Sequence, residues 1–291
     1  MKFHLLGLAT AALGAAATRN PMSAEHAGGV FSRPHSRGCG VQGVLHGVEP
    51  RGSMQTCSGE TLYVTQPPRG ARMADVAVLY LTDIFGLGIP NNKLLADSIA
   101  SAGYLVVAPD LFRGDPVPGD ARDPGSEFDL EAWRTQHPEE EVDGIIATAI
   151  ETMREEYGAT KLGVVGYCFG APYVARLLSP GGIAGAADIV EAGFIAHPSS
   201  IKAYHWAGIS KPISVAYGDQ DDLVPQELRR EAEDELVGGN EVRTFEISLY
   251  GGAEHGFAVR TDLSDPTKAF AQESAYYQAV RWMDAWITGG E

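Results

Sequence analysis

A chain of 291 residues with 44% hydrophobic and 21% charged residues can bury a large core and is too balanced for a disordered segment. Its formal net charge of −16 works against a surface for nucleic acid or for anionic membrane. The apolar stretch at the N-terminus is too short to span a bilayer as a helix.

That N-terminus has the layout of a leader. Lys2 precedes Leu5-Leu6-Gly7-Leu8-Ala9 and an alanine-rich run ending Ala15-Ala16-Ala17-Thr18. A basic start, a short apolar stretch and small residues resemble a secretory signal peptide, so residues 1–18 are expected to direct secretion. A mitochondrial-type leader or a cytoplasmic protein is the alternative. Residues 19–42 are rich in Gly, Ser, Arg and His without apolar periodicity and are expected to form a flexible arm. Cys39 and Cys57 lie close together, whereas Cys168 stands apart. In an oxidising compartment a Cys39–Cys57 disulfide would leave Cys168 free; in the cytosol all three would be reduced.

From residue 43 to 289 strand and helix signals alternate, with no repeat and no linker, which predicts one domain. The predicted strands are Thr61–Thr65, Val76–Leu81, Tyr104–Ala108, Leu162–Val165, Gly193–Ala196, Ile213–Tyr217 and Val242–Leu249. Several are continuous apolar runs, as in strands covered on both faces. Arg113–Pro138 interrupts the rhythm with prolines and acidic residues around Phe128 and Trp133 and reads as a long irregular lid or surface loop. Val142, Ile145, Ile146, Ala149, Ile150 and Met153 form one helical stripe. Ala171–Ser179 and Pro225–Leu236 read as helices. Asp265-Pro266 provides the cap and first turn of a last helix, which Gly289-Gly290 ends. The alternation predicts an α/β fold, a mostly parallel central sheet with helices on both faces.

One turn carries chemistry. Gly166-Tyr167-Cys168-Phe169-Gly170 lies between the strand Leu162–Val165 and the helix Ala171–Ser179. Strand, sharp turn and helix with G-x-nucleophile-x-G is the arrangement of an α/β-hydrolase fold, here with cysteine at the centre. A helix N-terminus also favours a thiolate. The fold requires an acid and then a histidine on later loops. Gly218-Asp219-Gln220-Asp221-Asp222 follows the strand Ile213–Tyr217, and His255 follows the glycine-rich turn Gly251-Gly252-Ala253-Glu254. Spacing alone leaves Asp219, Asp221 and Asp222 open as the acid. Phe169 is the expected first backbone donor to an oxyanion, and the loop Thr82-Asp83-Ile84-Phe85-Gly86 supplies the second.

These motifs, with Pro109-Asp110-Leu111-Phe112, Leu223-Val224-Pro225 and His255-Gly256-Phe257, resemble the dienelactone hydrolase family over roughly residues 43 to 289. The resemblance implies a cofactor-free hydrolase of lactones or other activated esters, acting through an acyl-cysteine intermediate. It implies a triad of Cys168, Asp221 and His255, the acid lying four residues before the motif proline. It also implies Ile84 as the second oxyanion donor through its backbone. Bacterial prototypes carry Glu at the position of Asp83, where it helps regulate the nucleophile. Their substrate-carboxylate arginines correspond to Arg113 and Arg260, each displaced by one residue.

The other features imply no metal and no cofactor. His26, His35, His46, His137 and His205 lack metal-ligand spacing, and Gly86-Leu87-Gly88-Ile89-Pro90 lacks the third glycine of a dinucleotide site. His197 ends a strand and reads as a buried hydrogen-bonding residue. The expected partner is a small ester or lactone, without nucleic acid or membrane; oligomeric state has no signal in the sequence. Two competing readings are a thiol redox protein using Cys168 and a non-catalytic secreted binder on a hydrolase scaffold.

Overall fold

The computed structural model describes residues 43–69, 75–121, 126–186, 188–238 and 244–289. The expected leader and arm, with Cys39, lie outside the described residues. Val41–Glu291 form one compact unit.

Its centre is an eight-stranded sheet: β1 (Ser53–Cys57), β2 (Glu60–Thr65), β3 (Val76–Leu81), β4 (Leu105–Pro109), β5 (Lys161–Tyr167), β6 (Val190–Ala196), β7 (Ile213–Gln220) and β8 (Phe245–Glu254). The spatial order is β1-β2-β4-β3-β5-β6-β7-β8. β1 and β2 pair antiparallel, as do β2 and β4; the six strands from β4 to β8 pair parallel. Seven helices accompany them: α1 (Pro90–Ser101), α2 (Leu130–Gln136), α3 (Glu139–Glu155), α4 (Ala171–Leu177), α5 (Ala203–Gly208), α6 (Gln226–Gly238) and α7 (Pro266–Trp286). This is the mostly parallel α/β sheet that the alternation predicts.

Successive strand residues point to opposite faces, so each strand feeds two apolar layers. Leu79, Val164 and Val215 join the stripe of α3 in one layer. Val78, Val165 and Ala216 meet Leu95 and Ile99 of α1 and Tyr276 and Val280 of α7 in the other. All six side chains of the α3 stripe, Val142 to Met153, are buried. Asp265 caps α7 by accepting from Thr267 N–H at 2.8 Å, with Pro266 in its first turn. Among the described residues no helix is long and apolar enough to cross a membrane.

Three elements differ from the sequence expectation. β1 has no apolar run, because it is an outer strand with mostly exposed side chains. It is paired through the Ser58-Gly59 turn, where φ is +50° and +88°. β8 runs five residues beyond Leu249, to Glu254, pairing with β7 across a register shift. Arg113–Pro138 is not irregular throughout: Asp129 accepts from Glu131 and Ala132 N–H and starts α2. Trp133 of that helix is buried, and its Nε1–H donates to Asp115 C=O at 2.8 Å.

Candidate active site

β5 ends in the turn that carries Cys168, whose φ is +50°. A left-handed non-glycine residue costs of order 1–3 kcal/mol and persists only where its surroundings hold it. The two flanking glycines permit the turn. A Cβ on Gly166 would lie 2.4 Å from Val174 Cγ2, and one on Gly170 would lie 2.6 Å from Leu81 C=O. Backbone and helix α4 therefore close tightly around a thiol that is itself 2% exposed.

The loops after β7 and β8 bring two side chains to this thiol. His255 Nε2 lies 3.0 Å from Cys168 Sγ. On the other side of the ring, Nδ1 lies 3.0 and 2.9 Å from the two carboxylate oxygens of Asp221, which fixes Nδ1 as the donor. Asp221 is buried and also accepts from Leu223 N–H at 3.0 Å. The competing acids point elsewhere: Asp219 accepts from Gly252 N–H at 2.6 Å, tying the ends of β7 and β8, and Asp222 is exposed. Burial pulls the His255 pKa down, but the hydrogen bonds and charges of Asp221 and Cys168 outweigh it and raise the pKa to about 9.

Asp83 is fully buried beside this line. Its carboxylate accepts from Phe85 N–H at 3.1 Å, from Asn92 Nδ2–H at 2.9 Å and from Arg260 Nε–H at 3.2 Å. Arg260 is thus occupied by Asp83 and stacks on Phe85, its guanidinium 4.2 Å from the ring centre. Arg113 is brought to neither: its guanidinium is half exposed and held by Glu60 and Glu141. Ile84 lies on the loop after β3, and Phe169 follows Cys168 on the turn after β5. Ile84 C=O accepts from Val117 N–H at 2.9 Å, anchoring the start of the Arg113–Pro138 segment. Cys57 is a buried free thiol that donates to Glu156 at 3.7 Å.

Sequence reasoning missed three parts of the site. Ser199 Oγ lies 3.4 Å from Cys168 Sγ. His197 is fully buried with no hydrogen-bond partner on either ring nitrogen, so it is not the hydrogen-bonding residue expected. It meets His255 edge-on instead, with 5.3 Å between ring centres. Burial, reinforced by the charges of His255 and Arg260, holds it neutral, its pKa well below the ordinary value. Lastly, Phe112 and Trp133 pack on Phe169, at 5.1 and 6.1 Å between ring centres. The long segment is therefore anchored to the residue next to the thiol. Nothing local in the sequence marks these contacts, which join residues far apart in the chain.

The profile of the "Dienelactone hydrolase family" matches residues 62–287, a span that holds the thiol, the imidazole and the carboxylate. The chain belongs to the dienelactone hydrolase family. Members in fungi share much of its sequence. "Hydrolase pyvD" of Aspergillus violaceofuscus is 38% identical over 256 residues, covering 88% of this chain and 98% of that protein. "Dienlactone hydrolase 1" of Gibberella moniliformis is 33% identical over 253 residues, covering 86% of this chain and 93% of that protein. The crystal structure of the dienelactone hydrolase from Anabaena variabilis shares the fold, with a TM-score of 0.53 at 15% identity. That superposition covers 81% of this chain and 97% of the other. Family membership makes this chain a lactone or ester hydrolase. Among the described residues no group of three or more His, Cys, Asp and Glu side chains could hold a metal ion.

Proposed function

We propose that the protein hydrolyses a lactone or another activated ester through an acyl-cysteine intermediate on Cys168, with His255 and Asp221 completing a triad. The observation that carries this reading is the unbroken line from Sγ to Nε2 at 3.0 Å and from Nδ1 to Asp221 at 2.9 Å. The raised His255 pKa favours a protonated imidazolium at neutral pH, ready to give its proton to a leaving group.

In the first half-reaction the thiolate attacks the carbonyl carbon and the C–O bond to the leaving alcohol breaks. The imidazolium of His255 gives its proton to that oxygen. The oxyanion of each tetrahedral intermediate takes hydrogen bonds from the backbone N–H groups of Phe169 and Ile84. Acylation consumes the negative charge on sulfur, and with it one of the influences that raise the pKa of His255. The neutral imidazole then removes a proton from water. The resulting hydroxide attacks the thioester, releasing the carboxylic acid and restoring the thiolate. Asp83, tied to Arg260, keeps the loop bearing Ile84 in place. Export of the protein is a further proposal, supported by the leader-like residues 1–18.

The test is a panel of lactones, aryl esters and thioesters with Cys168→Ala as control. Turnover is expected to vanish in the variant, and mass spectrometry of quenched wild-type enzyme is expected to find one acyl adduct, on Cys168. Undiminished turnover in Cys168→Ala overturns the reading.

A further inference from the structure

The turn after β6, His197-Pro198-Ser199-Ser200, touches two members of the triad at once. Ser199 N–H donates to Cys168 C=O at 3.1 Å, and its hydroxyl lies 3.4 Å from the sulfur. His197 N–H donates to Ala216 C=O at 2.9 Å, pinning the start of the turn to β7. Both ends of the turn are left-handed at non-glycine residues, with φ of +36° at His197 and +57° at Ser200. The fold holds this backbone in an unfavourable shape, and the shape puts one hydroxyl against the nucleophile.

From this geometry we infer that Ser199 is a further catalytic residue, whose hydroxyl donates a hydrogen bond to the Cys168 thiolate and holds the sulfur in line with His255. When Cys168 is protonated, its S–H group donates to Ser199 Oγ. When the proton moves from Sγ to His255 Nε2, the Ser199 hydroxyl rotates and donates to the sulfur; it loses no proton itself. A hydrogen bond to an ionised partner is stronger than one to a neutral group, so the contact favours the ion pair over the neutral pair. The other groups around the sulfur leave this role open. His255 faces it directly with Asp221 behind, neutral His197 lines the His255 ring, and Asp83 and Arg260 compensate each other. The inference rests on the reading of Cys168 as the nucleophile.

Alkylation by iodoacetamide, followed at the Cys168 peptide by mass spectrometry, reads the thiolate without any ester substrate. In Ser199→Ala the midpoint of alkylation against pH is expected to move up by about one unit, with kcat falling about tenfold and KM little changed. Ser199→Thr, which keeps the hydroxyl, is expected to restore both, and circular dichroism checks that each variant folds. An unmoved midpoint in folded Ser199→Ala overturns the role of Ser199, even if Cys168→Ala is inactive and the triad stands. Conversely, turnover by Cys168→Ala would overturn the triad while the alkylation profile still decides the hydrogen bond.

Discussion

Arg260 donates its Nε–H to the fully buried carboxylate of Asp83 across 177 residues of chain. Removing one member of such a pair leaves the other charge without compensation. For Arg260→Gln we expect a loss of about 2–4 kcal/mol in urea unfolding, below the full buried-pair effect because Arg260 is one-third exposed. The double variant Asp83→Asn, Arg260→Gln is expected to recover part of that loss. A double variant less stable than the sum of the singles would contradict the pairing.

A Cβ on Gly170 would meet the Leu81 backbone, and one on Gly166 would meet both the Val174 side chain at 2.4 Å and the Gly170 carbonyl at 2.8 Å. Gly166→Ala is expected to cost about 1–3 kcal/mol and to be relieved only in part by Val174→Ala, which removes the clashing methyl group and leaves the clash with the Gly170 carbonyl. Gly170→Ala has no such remedy, since its neighbour is the Leu81 carbonyl. Thermal unfolding of the singles and of the Gly166→Ala, Val174→Ala pair checks this; full rescue argues against the close approach of the Gly170 carbonyl to Gly166.

Asp221→Asn removes the acceptor that orients His255 and is expected to lower kcat by about three to four orders of magnitude. It also carries a pH signature. The folded pKa of His255, about 9, lies above its ordinary 6.5, so its contribution to stability is complete below the lower value and is lost as pH rises through the upper. The melting-temperature advantage of wild type over Asp221→Asn should therefore be largest near pH 6 and shrink as pH passes about 9. Scanning calorimetry across that range is the check; an advantage that grows with pH would refute the assignment.

Trp133 joins α2 to Phe112 and, through Phe169, to the nucleophile turn. Trp133→Ala is expected to cost about 3–5 kcal/mol if the whole domain feels the cavity, and less if only α2 detaches. Hydrogen exchange separates the two cases, and steady-state kinetics should show KM rising more than kcat falls. Unchanged KM would mean that the segment has no part in substrate binding.

Cys168 and the acidic turn were legible because each follows a strand with a plain apolar run, and His255 because it follows a glycine-rich turn in the chain order that the fold requires. The choice among Asp219, Asp221 and Asp222 was different. Spacing left it open, and only the family motif pointed to Asp221, whose carboxylate meets the imidazole in the structure. β1 escaped notice because a solvent-facing outer strand needs no apolar alternation. Asn92 on Asp83, Ser199 on Cys168 and His197 on His255 are contacts across the fold, 9, 31 and 58 residues apart along the chain. Such meetings depend on how strands are ordered in the sheet, which no local pattern encodes.

Three non-glycine residues are left-handed here: Cys168 itself, and His197 and Ser200 at the two ends of the turn that holds Ser199 against its sulfur. Glycine at position 200 would relax that backbone, so a search for thermostable variants should be drawn to this turn. The same search would loosen the placement of Ser199. Hardening the protein against heat and keeping Ser199 on the Cys168 sulfur are then opposed at these positions, and durable variants are better sought on the outer faces of α3 and α6.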